Sequence, residues 1–289
     1  MSERIEVNKT YKTYVGGSFR RTESGRVYKV YDKDRNFLAN ACRCSRKDVR
    51  DAVVAARSAF DVWQNRPAYN RGQILYRIAE MLEGRKAQFV KELKRLGSSE
   101  KEARREVHGT IDRLIYYAGW TDKYQQVYST VNPVAGNHFN FSVPEPVGIV
   151  SVLPPETPAL LGLISVIAPV MAGGNTCVVL AGETAPNVTI SFAEVLHSSD
   201  VPGGVVNILT GYRDELLSPL SSHMDVNALV NADRDMYQEM RKQLEENAAL
   251  NVKRVTREYY ENWDHSEVES PDLIMKLQEI KTTWHPTGN

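Results

Sequence analysis

The sequence predicts an α/β fold built on a parallel sheet flanked by helices, with a helical segment ahead of it. Three observations carry this. Short, mostly apolar runs at 147–153, 176–180, 205–209 and 226–230 read as strands buried on both faces. Helical stretches separate them at the pitch of βαβ units. Upstream, apolar residues recur at helical spacing over much of the first 130 positions.

The elements follow in order. Tyr14–Phe19, with Gly16-Gly17 at its centre, and Val27–Tyr31 read as a hairpin. Ser45 with Asp48 is an N-cap with its capping-box partner, and Val49, Val53, Ala56 and Phe60 mark the helix it opens. A second helix is expected from about Asn70 to Leu96, and a third opens at Glu100 and buries Ile111, Leu114, Ile115 and Ala118. The charged run Glu100–Arg105 reads as a solvated face. Asn132–Asn137 is a loop by composition, and His138–Val143 alternates as a strand does.

The buried strands then alternate with helices at Ala159–Met171, Pro186–His197 and Glu215–Leu220. Asp235–Glu246 is a further helix, Asn251–Val255 a fifth strand, and Glu258–Asp272 an irregular stretch. The segment Glu279–His285 closes the chain as a strand rich in β-formers.

Composition narrows the function classes. Lys plus Arg and Asp plus Glu both number 36 in 289 residues, so no global basic field attracts nucleic acid or an anionic membrane. Cys42, Cys44 and Cys177 are too few and too uneven for a disulfide framework, which points to a reducing, cytoplasmic setting. No His/Cys pair with finger-like spacing follows Cys42 and Cys44, so no metal site is expected. Met1–Lys12 lacks the apolar core of a signal peptide, and Ala159–Ala172 is too short and broken to span a bilayer.

Several segments resemble the NAD-dependent aldehyde dehydrogenases. Glu145–Val150 resembles the opening of that family's first Rossmann strand. Pro154-Pro155-Glu156-Thr157-Pro158 stands where the family writes Pro-Trp-Asn-Phe-Pro. Ala168–Thr176 resembles its AP-x-LA-x-GNT turn, Val201–Gly211 its P-x-GVVN-x-x-x-G strand entry, and Ser222–Val226 its SHP-x-V. Phe60–Trp63 and Arg71–Leu75 fit its N-terminal helices, so the likeness covers roughly residues 10–231. The tail segments Asn251–Val255 and Lys281–Pro286 are similar to a short branch in which a truncated chain accompanies a full-length one. They also resemble the degenerate second half of the double-domain, type-16 aldehyde dehydrogenases.

The resemblance implies a Rossmann-like, NAD-binding-type domain over 1–250, with a helical part at 45–128 and the sheet at 146–250. It also implies a β oligomerisation arm formed by 129–145 and 251–289. It further implies that the chain ends before the family's catalytic domain: neither the ELGGK segment with its base nor a later GQ-x-C with the nucleophile occurs. Cys177, on a buried strand, reads as a small core residue. The family's oxyanion-hole Asn is Glu156 here, a carboxylate where a donor is needed, so Glu156 reads as a solvated loop residue. The family's ribose-binding Lys aligns with Leu180. The Gly-bearing turn that faces the pyrophosphate is replaced by Val230-Asn231-Ala232-Asp233-Arg234-Asp235. Only Glu183 matches a cofactor contact, as a vestigial NAD-site residue.

No catalytic residue and no resident cofactor is therefore expected. The reading is a non-catalytic, aldehyde dehydrogenase-like subunit that assembles with itself or with a full-length aldehyde dehydrogenase. The alternatives are a residual NAD- or small-ligand-binding protein with its site near Glu183, and a divergent oxidoreductase using Glu156 as general base.

Overall fold

The computed structural model describes residues 9–288. The N-terminal part holds β1 (Thr10–Tyr11), β2 (Thr13–Val15), β3 (Ser18–Arg20), β4 (Val27–Tyr31) and β5 (Phe37–Cys42). Then come α1 (Arg46–Gln64), α2 (Ala68–Arg95), α3 (Glu100–Trp120) and α4 (Tyr124–Tyr128). Next are β6 (Thr130–Asn132) and β7 (His138–Pro146), followed by the alternating block. That block runs β8 (Ile149–Leu153), α5 (Leu161–Ala172), β9 (Thr176–Leu180), α6 (Pro186–His197), β10 (Val206–Leu209), α7 (Arg213–Ser222), β11 (Ala228–Asn231), α8 (Gln238–Ala249) and β12 (Arg254–Arg257). The short α9 (Asp272–Met275) and β13 (Gln278–Pro286) complete the chain.

Strands β8 to β12 form the expected parallel sheet, in the order β12-β11-β8-β9-β10. The hairpin β2-β3 extends this sheet, with β2 antiparallel to β10. Strands β8 to β11 are buried along their whole length, because helices cover both faces. One face packs Val150, Val152, Cys177 and Val179 under α2, α3, α5 and α6. The other packs Ile149, Leu153, Val178 and Leu180 under α1, α7 and α8. Every residue of α5 is buried, as an apolar surface all round the helix requires.

Motif residues hold this frame together. The buried Asn175 amide accepts from Gly148 N (2.9 Å) and donates to Leu277 O (3.0 Å), tying the β8 entry to the β13 entry. The Gly16-Gly17 turn lies directly against the Pro202–Gly204 turn. A Cβ on Gly203 would sit 2.7 Å from Gly16 O, so neither backbone can approach the other with a side chain between them.

The capping box at Ser45 and Asp48 forms as expected. A second reciprocal box opens α3, with Ser99 N donating to Glu102 (2.9 Å) and Glu102 N to Ser99 Oγ (3.2 Å). Ser99→Ala should lower the unfolding free energy by about 1 kcal/mol. A urea midpoint shift at unchanged slope checks this.

Several expectations need correction. Val27–Tyr31 does not continue the Gly16-Gly17 hairpin; it pairs antiparallel with Phe37–Cys42, a strand whose small residues hid its alternation. Ile115 is exposed, and Arg113 is buried in its stead. The helix expected at Asp235–Glu246 begins later, at Gln238. Asn231 and Asp233 side chains accept from Asp233 N (3.0 Å) and Asp235 N (3.1 Å), holding a turn there. The fifth strand is Arg254–Arg257 rather than Asn251–Val255. It lies in the main sheet rather than in the expected 251–289 arm segment, of which Gln278–Pro286 pairs with β7. Of the two three-stranded sheets, one is β1-β5-β4 and the other β13-β7-β6, in which β13 runs antiparallel to β7 over nine register pairs.

Candidate functional site

In an open α/β sheet the ligand crevice lies outside the carboxyl ends of the strands, where the strand order reverses. Here the reversal falls at β8, which is flanked by β9 and β11. The segments leaving these ends carry Pro154 and Glu156 (after β8), Glu183 (after β9), Arg213 (after β10) and Asp233 (after β11).

The crevice is occupied by the chain's own charges. Arg213 is 5% exposed and donates through Nη2 to Pro154 O (2.7 Å), with Glu156 Oε1 at 3.1 Å. Its Nη1 pairs with Asp233, itself 5% exposed. The guanidinium thus bridges the ends of β8 and β11, across the reversal point. Burial pulls the Arg213 pKa down, while Glu156 and Glu183 work to hold its charge.

Each carboxylate has a defined task. Glu156 accepts from Glu183 N (2.8 Å), Thr184 N (3.0 Å) and Thr184 Oγ1 (2.6 Å). Burial opposes its charge, but Arg213 and these donors outweigh burial and hold the carboxyl below the usual range. Glu156 is therefore an anchored acceptor rather than a solvated loop residue, and its occupied oxygens suit it poorly to general-base work. Glu183 Oε1 accepts from Arg213 N (2.6 Å) at the first turn of α7, whose own N-cap residue Tyr212 supplies no side-chain cap. Burial pushes the Glu183 pKa up. Glu106 does the same for α5, accepting from Leu160 N (2.7 Å) and Leu161 N (3.3 Å).

These residues do not fit a dinucleotide. A pyrophosphate needs free backbone N–H groups and a backbone it can approach closely. Ala232 and Asp233 are buried at the turn where such contact would occur, and the buried Arg213 guanidinium beside them is already paired. Arg234 is over half exposed and reaches only Glu261, at 3.5 Å. Leu180 is fully buried in the sheet. Of the sequence-derived candidates, Glu183 lies in the crevice but acts as a helix cap. Arg213 was missed. Its one signal in the sequence is a charged residue two positions past Gly211, at the end of the third strand.

The three cysteines are buried and unpaired. Burial pushes the Cys177 thiol up to about 12 and raises Cys44 as well. A thiol-reactive dye should label none of the three in the native chain and all three in urea; native labelling of Cys177 at neutral pH would contradict a purely structural thiol. Among the described residues no group of three or more His, Cys, Asp and Glu side chains gathers as for a metal. Nor is any helix among them long and apolar enough to cross a membrane.

Beyond Glu156 and Glu183, a cleft of about 870 Å³ opens between the strand ends, the β4 hairpin and the ends of α2 and α3.

Comparison with known proteins agrees with this architecture. The profile of the Aldehyde dehydrogenase family matches residues 19–259. The chain belongs to that family. It is 30% identical over 262 residues to retinal dehydrogenase 2 of Gallus gallus, covering 88% of this chain and 49% of that protein. It is 30% identical over 255 residues to aldehyde dehydrogenase 1A1 of Homo sapiens, covering 86% and 50%. Among solved structures, the NAD+ complex of aldehyde dehydrogenase from Bacillus cereus superposes with a TM-score of 0.80 at 25% identity, covering 87% of this chain and 51% of that one. The chain spans about half the length of the curated relatives it matches.

Proposed function

We propose that this chain is a non-catalytic, aldehyde dehydrogenase-like subunit whose dinucleotide crevice has become an internal ion-pair lock. The Arg213–Asp233–Glu156 arrangement carries this reading: it puts a paired, buried guanidinium where an NAD enzyme needs open backbone and an anion site. The buried, protonated Cys177 offers no nucleophile. We read residues 1–250 as the aldehyde dehydrogenase-like unit, with the β6-β7-β13 sheet as an oligomerisation arm. The relation to the degenerate second half of the double-domain, type-16 enzymes and a cytoplasmic setting belong to the same reading.

Assembly is supported by the arm's surface. Val131, Phe139, Ile280 and Trp284 are all exposed on it, and both outer strands leave an edge open. The partner is a second copy of this chain or a full-length aldehyde dehydrogenase. A tagged pull-down from the native cell, with mass spectrometry and sedimentation of the purified chain, tests this. Stoichiometric recovery of a full-length enzyme, or a stable homo-oligomer weakened by Trp284→Lys, is expected. A monomer recovered alone would sink the subunit reading.

A further inference from the structure

The groove between α2 and α3 carries a local excess of positive charge. It holds about 570 Å³ and is lined by six Lys and Arg side chains against three carboxylates, in a chain whose cationic and acidic residues both number 36. The two helices are joined by residues 96–99 and lie side by side as an αα-hairpin. Lys91 and Lys94 stand three apart on α2, Arg104 and His108 four apart on α3, so each helix turns a row of basic side chains to the groove. The tip of the β4-β5 hairpin stands at the α2 C-terminal end, where Lys33 N donates to Arg95 O (3.1 Å).

The carboxylates present leave part of this charge unanswered. Glu100 is already shared, with Oε2 at 2.7 Å from Lys94 and Oε1 at 2.6 Å from Arg104. Asp32 commits both oxygens to its own turn, accepting from Asp34 N (2.9 Å), Asn36 N (2.8 Å) and Asn36 Nδ2 (3.2 Å). Lys86 is paired with Glu83. Lys33, Lys91 and Arg95 line the groove with no ion-pair partner among the described residues. The helix dipole accounts for cations in the last turn of α2, Lys94 and Arg95, but its reach ends there and it does not account for Lys33, Lys91 or Arg104.

We propose that this groove binds an acidic peptide segment of a partner protein, its carboxylates facing Lys33, Lys91 and Arg95. The α2 wall from Lys86 to Arg95 is about 14 Å long at 1.5 Å per residue, room for about four residues of extended peptide. Ala87 and Val90 alone among the lining residues are apolar, so recognition is ionic rather than the burial of an amphipathic helix. A nucleic acid strand fits less well, because Asp34 and Glu100 stand among the cations and would face its phosphates. The groove lies on different elements from the β6-β7-β13 arm, so the inference does not rest on the subunit reading and fails separately from it.

Fluorescence anisotropy of fluorescein-labelled hexaglutamate, titrated with the intact chain, tests it. Saturable binding is expected at about 20 mM salt, weakened at least about fivefold by about 150 mM, with none for labelled hexaserine. Lys91→Glu and Lys33→Glu should each lower the affinity about tenfold. Lys242→Glu, on the exposed surface of α8, changes the net charge equally and should lower it less than about twofold. Near-ultraviolet circular dichroism confirms that each variant is folded; should one groove variant not fold, the other decides. No saturable binding would overturn the proposal, as would an equal loss in Lys242→Glu, which marks net charge rather than a site. Tighter binding of a labelled oligothymidylate that Lys91→Glu abolishes would assign the groove to nucleic acid instead. A homo-oligomer dissociated by Lys91→Glu in sedimentation would assign it to a second copy of this chain, and either result would overturn the partner-peptide reading.

Discussion

Replacing Arg213 by alanine is expected to lower the unfolding free energy by about 3–5 kcal/mol. The substitution leaves Asp233 buried without its cation, orphans Pro154 O and removes the charge that holds Glu156 ionised. Arg213→Met restores packing but not the charge, so it should recover only part of the loss. The double change Arg213→Met with Asp233→Asn should recover more, since it no longer strands a buried carboxylate.

The pH dependence carries a sign that identifies the cause. Glu156 is held below its ordinary value of 4.5, so its contribution is present above that value and is lost as pH falls through the lower folded value. Glu106 and Glu183, pushed up by burial, act the other way: they weaken the fold when ionised and are relieved on protonation. The wild-type profile is the net of both. The difference between wild type and Arg213→Ala isolates the lock. That deficit should be largest near neutral pH and shrink as the stranded carboxylates protonate. Urea midpoints between about pH 3 and about pH 7 measure it, and a deficit that does not change over that range would mean the loss is packing alone.

The second large effect is expected at Arg113, 1% exposed on α3. It donates to Ser165 Oγ (2.5 Å), Trp263 O (2.9 Å), Val268 O (3.1 Å) and Glu269 Oε1 (3.1 Å). One side chain thus ties the irregular 263–269 stretch to α3 and α5. Of the Glu269 pair only the carboxylate is exposed, by about a third, and solvent weakens its contribution. The two buried carbonyls matter more, because each orphaned acceptor costs about 1–3 kcal/mol. Arg113→Ala should therefore cost about 3 kcal/mol. It should also open a local equilibrium, read as a proteolytic nick between residues 258 and 272 at protease levels that leave the wild type intact. A loss of stability without that nick would separate Arg113 from the segment we assign to it.

Much of the sheet was legible in the sequence for a simple reason. Strands buried on both faces are written as runs of apolar residues, so β9 falls at the bounds expected for it, and Pro186 marks the first turn of α6. The Ser45 capping box was equally plain, since its two residues sit three apart. Strand β5 was not, because Ala39, Asn40 and Ala41 carry no alternation and its pairing with β4 and β1 is tertiary. The candidate site was legible as losses only. The sequence marks Glu156 in place of a donor and Asp233 in place of a glycine turn. It does not mark that Arg213, remote from both along the chain, closes on them. Burial of Arg113 was hidden for the same reason: an arginine on a helix reads as solvated until its partners are known.

The proposed non-catalytic role requires a crevice closed to dinucleotide by its own ion pairs. Equilibrium titration of NAD into the purified chain, followed calorimetrically to about 1 mM ligand, tests that most directly. We expect no saturable heat, in wild type and in Glu156→Asn alike. Stoichiometric NAD binding in the micromolar range would show that the Arg213–Asp233 pair opens for the cofactor, and would contradict the closed crevice on which the non-catalytic reading stands.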